Sequence, residues 1–171
     1  MKIINSIFLL LLQAIAVASC TKDDGYIEDL NEQGLTACPI NSSCQYLYAD
    51  NSEFSEHFGI VDNGNFRIFW NEVRSFDRSA LVYIKAPMKG NTFLIDNSAI
   101  QKGVVKLFDN CASCFSAALN VKVTGGFSKG KKLIDPTGKE KWLLETKLFV
   151  YIVNTGYKDT LYVKQYYHPQ P

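Results

Sequence analysis

The feature that most constrains this chain is a set of short segments in which apolar and polar side chains alternate one by one. In the longest, Trp142, Leu144, Leu148, Val150 and Ile152 share one face, broken only by Thr146, while Glu145 and Lys147 share the other. Successive side chains of a β-strand point to opposite sides, so a period of two sets one face in water and one in a core. Val82, Ile84 and Ala86 opposite Lys85, and Val121 and Val123 opposite Lys122 and Thr124, repeat the pattern.

Runs of this kind predict strands over Gln45–Ala49, Phe66–Val73, Ala80–Ala86, Thr92–Ile95, Val104–Phe108, Ala117–Thr124, Trp142–Val153 and Thr160–Tyr167. Turn residues fall between them at Asp62-Asn63-Gly64-Asn65, Lys89-Gly90-Asn91, Gly125-Gly126, Asp135-Pro136-Thr137-Gly138 and Asn154-Thr155-Gly156. Helix signals are sparse: a turn or two over Ser52–Phe58, and another over Asp96–Gln101 capped by Asp96 or Asn97. Strands at this spacing predict an all-β fold, an antiparallel β-sandwich of about seven or eight strands, with a closed β-barrel as the alternative.

The first residues have a different character. Met1 and Lys2 precede an apolar run from Ile3 to Ala18 that ends at Ser19-Cys20 and gives way to Thr21-Lys22-Asp23-Asp24. That order is the order of a secretory signal, and the run is too short to span a bilayer, which needs about 20 apolar residues. Val17-Ala18-Ser19-Cys20 resembles the lipobox of bacterial lipoproteins. The resemblance implies diacylglycerol on the Cys20 thiol, cleavage before Cys20 and acylation of the new amino group, and two or three acyl chains anchor firmly. Cys20-Thr21-Lys22-Asp23-Asp24 resembles the acidic export signal of Bacteroidetes-type surface lipoproteins, which implies an outer-membrane, lipid-anchored protein displayed at the cell surface.

The chain then divides into a signal peptide (1–19), a lipidated flexible tether (20–37) and a single β-rich domain (38–171). The tether is polar, acidic and aperiodic. The domain is long enough to bury roughly 70% of its unfolded surface in a core of its own.

Four cysteines remain beyond Cys20. Cys38, Cys44, Cys111 and Cys114 are an even number of thiols in an exported chain, which favours disulfides, and three connectivities are open. Two alternatives use the same residues: a structural zinc ion held by four thiolates, and a thiol oxidoreductase pair at Cys111-Ala112-Ser113-Cys114. The latter needs a helix N-terminus to lower the thiol pKa, and strand-like Val121-Lys122-Val123 follows instead.

Other chemistry is scarce. Gly125-Gly126-Phe127-Ser128-Lys129-Gly130-Lys131 has the spacing of a phosphate-binding loop, but Lys132 stands where Ser or Thr belongs and Leu133-Ile134-Asp135-Pro136 opens no helix, so it reads as a flexible hairpin with solvated lysines. His57 and His168 are the two histidines, neither beside an obvious partner, and no zinc-protease motif is present. Asp50, Glu53, Glu56, Asp62 and Asp77 are read as solvated loop carboxylates rather than a glycosidase pair or a calcium site. No catalytic, cofactor-binding or metal-ligating set emerges, and no cofactor is expected.

With 18 basic and 17 acidic side chains and no basic stripe beyond Lys129, Lys131 and Lys132, nucleic acid is excluded as a partner. Aromatic content is what leans toward binding. Tyr46, Tyr48, Phe66, Phe69, Trp70, Phe76, Tyr151, Tyr157, Tyr162, Tyr166 and Tyr167 exceed the needs of one core, and rings left outside it can stack on a glycan or a peptide. The sequence therefore favours a non-catalytic binding or scaffolding module on a lipid anchor, with the Cys111/Cys114 oxidoreductase as the alternative.

Overall fold

The alternating runs do form strands, and the all-β architecture is the one observed. The computed structural model describes residues 30–55, 61–76, 78–111, 121–153 and 155–171. Its strands are β1 (Ser43–Phe54), β2 (Val61–Asn63), β3 (Phe66–Arg74), β4 (Arg78–Pro87), β5 (Thr92–Ile95), β6 (Val105–Cys111), β7 (Val121–Ile134), β8 (Glu140–Ile152) and β9 (Tyr157–Pro169). Asp96 caps α1 (Asn97–Ala99) by accepting the Ala99 N–H, and α1 continues as a π-helical turn over Ile100–Val104.

Two antiparallel layers, β6-β4-β3-β1 and β5-β7-β8-β9, enclose the core in a sandwich-like arrangement. They belong to one sheet, because β1 and β9 run parallel at Leu47↔His168 and Tyr48↔Pro169. The continuous sheet curls into a half-barrel whose terminal strands are β5 and β6. Between the layers, Phe69 packs on Phe93, Trp142 and Tyr167 with ring centroids 5.3, 5.5 and 5.7 Å away. Leu144, Leu148, Ile84 and Val82 fill the space around them. Thr146, the polar break in the apolar face of β8, is buried opposite Ser128, and the two hydroxyls bond each other at 2.8 Å. A second cluster, Ile68, Trp70, Leu81 and Tyr83, occupies the other face of β3 and β4.

Three local expectations are corrected. Gly125-Gly126 is not a turn but a bulge inside β7, where the register with β8 shifts between Val123 and Gly125. Glycine is required at Gly126, whose φ is +127° and whose Cβ would stand 2.0 Å from the Lys147 carbonyl, and a Cβ on Gly125 would displace the Asn97 side chain, whose Oδ1 would lie 2.1 Å away. The stretch read as a flexible hairpin, residues 125–132, is paired with β8 on one side and in part with β5 on the other, and Lys129 in it is buried. Ser52–Phe54 closes β1 rather than opening a helix; residues 56–60 lie outside those described.

Residues 30–36, at the end of the segment read as a tether, lie against β9. Thr36 exchanges hydrogen bonds with the Lys164 backbone at 2.8 and 2.9 Å, and Leu30 is buried.

Candidate functional site

The outward faces of β7, β8 and β9 build a surface on which rings and lysines alternate. Strand pairing sets Phe127, Lys147 and Tyr162 in one row and Gly125, Phe149 and Thr160 in the next, with Tyr151 opposite Lys158 beyond them. In the other direction come Lys129, Glu145 and Lys164. Phe149 and Tyr162 are each 44% exposed. Gly125 contributes to the opening, because the position beside Phe149 carries no side chain.

A groove of about 540 Å³ runs along this face, lined by Thr124, Phe149, Val150, Tyr151, Lys158, Asp159 and Thr160. Lys147 Nζ stands 5.8 Å from the Phe149 ring centroid. Among the described residues neither Lys147 nor Lys158 has an ion-pair partner. Glu145 is engaged already, 3.3 Å from Lys129 Nζ and accepting from the Tyr162 hydroxyl at 3.3 Å. Burial, and then the Glu145 carboxylate, raise the Tyr162 phenol above its ordinary pKa, so it stays a neutral donor. The surface thus offers ring faces for C–H stacking and ammonium groups for anions.

One end of the platform is covered by residues 30–36. Tyr166 donates to Glu32 at 2.6 Å and carries Lys141 Nζ 3.8 Å over its ring. The Glu32 carboxylate, helped by burial, pushes the Tyr166 phenol up to about 12.

The aromatic residues singled out in the sequence are thereby sorted. Tyr48, Phe69, Trp70 and Tyr167 are buried and Tyr46 half-buried. Phe66 and Phe76 are exposed elsewhere, Tyr157 is exposed at the start of β9 opposite Ile152 on the other side of the sheet, and Tyr151, Tyr162 and Tyr166 come together on this face. Phe149, absent from that set, is central to it. It sits on the outward side of β8 between Lys147 and Tyr151, and the same alternation that marks the core face marks it as exposed.

Cys38 and Cys44 form a disulfide with Cα atoms 5.8 Å apart, which removes the connectivities between the two cysteine clusters and leaves no set of four thiolates for zinc. Cys111 is the last residue of β6, paired with Arg78 of β4, and Cys114 lies outside the described residues, as do Cys20 and His57. His168 is exposed at the end of β9. Asp50 is bound by Arg67 and Glu53 by Lys85 at 2.7 Å, while Asp62 is exposed on β2 and Glu56 and Asp77 are outside the described residues. No group of three His, Cys, Asp or Glu that could hold a metal ion occurs among the described residues. No helix among them is long and apolar enough to cross a membrane. In comparisons with known proteins, the chain matches no protein-family model, no curated protein and no solved structure.

Proposed function

We propose that this chain is a lipoprotein held to the outer membrane through Cys20 and displayed at the cell surface, and that its domain is a non-catalytic module binding an anionic glycan. One observation carries the ligand class: Phe149 and Tyr162 are exposed beside Lys147 and Lys158, two lysines with no acidic partner among the described residues. Sugar rings present C–H faces that stack on aromatic side chains, and carboxylate or sulfate substituents pair with ammonium groups. The anchor reading rests on Val17-Ala18-Ser19-Cys20 and the acidic residues after it.

Two measurements test this reading. Intact mass of the membrane-extracted protein should show acyl chains on a new N-terminal Cys20, absent from Cys20→Ser; a chain beginning at another, unmodified residue contradicts the anchor. Titration of the full chain in detergent with a uronic-acid polysaccharide and its neutral counterpart should show binding to the acidic polymer. Equal binding, or none, contradicts the ligand class.

A further inference from the structure

The bulge in β7 decides which of its side chains reach the aromatic face. Phe127 and Gly125 lie on the outward side, opposite Lys147 and Phe149, so a regular strand would next turn Val123 outward and Lys122 toward the core. Thr124 is the extra residue that prevents this. With it in place Val123 pairs with Val150 and packs against the core, and Lys122 pairs with Tyr151 on the outward side. Three hydrogen bonds hold the bulge: the Thr124 hydroxyl donates to the Phe149 carbonyl at 3.1 Å, Gln101 donates to the Thr124 carbonyl at 3.3 Å, and Asn97 accepts the Gly126 N–H at 3.0 Å. Bulges re-aim side chains, and this one brings a lysine onto the face.

On the other flank of Tyr151 stands Lys158 of β9. The row Lys122, Tyr151, Lys158 therefore sets an ammonium group on each side of a ring. Both lysines are exposed, and neither has an ion-pair partner among the described residues. Asp159 belongs to the opposite side of β9, across from Val150, and its carboxylate accepts the Thr160 N–H at 2.7 Å. The next row along the strands, Gly125, Phe149 and Thr160, carries no charge, and the row after that holds Lys147 between Phe127 and Tyr162. Successive rows of one face are about 7 Å apart. The order along the face is cationic, then neutral and aromatic, then cationic again.

We propose that Lys122 and Lys158 form a second anion-binding subsite across Tyr151, and that the ligand is a glycan chain in which acidic sugars flank a neutral one. The neutral sugar stacks on Phe149, where Gly125 leaves room beside the ring. One carboxylate or sulfate sits between Lys122 and Lys158 and the other at Lys147, each in charge-assisted hydrogen bonds. No cation belongs to the central row, so an acid there gains no partner of its own. This proposal rests on the glycan reading of the same face and adds to it the placement of the acidic groups.

The test is calorimetric titration of the full chain in detergent with three trisaccharides of one linkage. The first is uronic acid, neutral sugar, uronic acid; the second is the same with one terminal carboxyl reduced to the alcohol; the third is acidic throughout. The two-acid fragment should bind about tenfold more tightly than the one-acid fragment, and the all-acidic fragment no more tightly than the two-acid one. Lys122→Gln combined with Lys158→Gln should bind the two-acid and one-acid fragments alike, because Lys147 alone then remains to pair with an acid. If that variant binds neither, the comparison of fragments on the unmodified chain decides by itself. Equal affinity of the unmodified chain for the two-acid and one-acid fragments, a preference that survives in the variant, or a tighter all-acidic fragment overturns this proposal alone. Failure of every acidic fragment to bind overturns the glycan reading with it.

Discussion

The guanidinium carbon of Arg67 lies 4.4 Å from the centre of the Trp142 ring, with Tyr48 on its other flank at 5.9 Å. Arg67 on β3 is 5% exposed and held through Nε and Nη2 by the Asp50 carboxylate of β1, whose side chain is 39% exposed, so a buried cation is paired with a partly exposed counter-ion. Nη1 has no hydrogen-bond partner, and the ring faces take that role.

This pair predicts an asymmetry. Asp50→Asn leaves a buried guanidinium without its counter-charge and should cost about 1–3 kcal/mol in urea unfolding. Arg67→Met in the Asp50→Asn background removes the stranded charge while keeping an unbranched chain against Trp142, and should recover most of that loss. A double variant no more stable than Asp50→Asn alone would show that the stranded charge is not what destabilises the single variant.

The Cys38–Cys44 bridge closes a short loop ahead of β1. Chain-entropy reasoning gives about 2 kcal/mol for a loop this size, so reduction, or Cys38→Ser with Cys44→Ser, should lower unfolding free energy by that order. Alkylation under denaturing, non-reducing conditions should leave Cys38 and Cys44 unlabelled. It also reads Cys111 and Cys114, which the proposed export to an oxidising compartment predicts to be joined to each other; labelling at both would contradict this.

The Glu32–Tyr166 hydrogen bond gives residues 30–36 a titratable signature. The folded phenol ionises at about 12 against an ordinary value near 10, so this contact contributes stability below pH ~10 that is lost as pH rises through the folded value. Glu32→Gln removes the carboxylate that is the main cause, and the Tyr166 ionisation seen by NMR of its ring carbon should move back toward that of an ordinary tyrosine. An unchanged titration would mean that residues 30–36 do not hold this position in solution.

Much of the fold was legible because it is written in local alternation. Thr92–Ile95 coincides with β5, and the apolar face of β8 was identified residue by residue, including its exception, Thr146, whose buried partner Ser128 lies on another strand. The failures have one cause. Gly125-Gly126 carries turn chemistry locally, yet β7 runs through it because β8 pairs along its whole length and Asn97 needs the close approach. The parallel contact of β1 with β9 joins residues more than a hundred positions apart and leaves no mark near either. The aromatic face was only half legible: composition showed a surplus of rings, but which of them share a face depends on the register of three strands. Arg67 follows the parity of Phe69 and so faces the core, a placement the period-two rule contains but arginine's usual exposure conceals.

The central claim, that the outward face of β7–β9 binds an anionic glycan, is tested most directly by calorimetric titration of a uronic-acid polysaccharide into the full chain and into Phe149→Ala, Tyr162→Ala and Lys147→Gln. All three side chains are exposed or half-buried on one face, so the variants should keep the unfolding profile of the parent. The account predicts that each ring truncation weakens binding about tenfold and that Lys147→Gln weakens it and reduces its salt dependence. Binding that is unchanged in all three variants, or equally strong for a neutral polysaccharide, would contradict it.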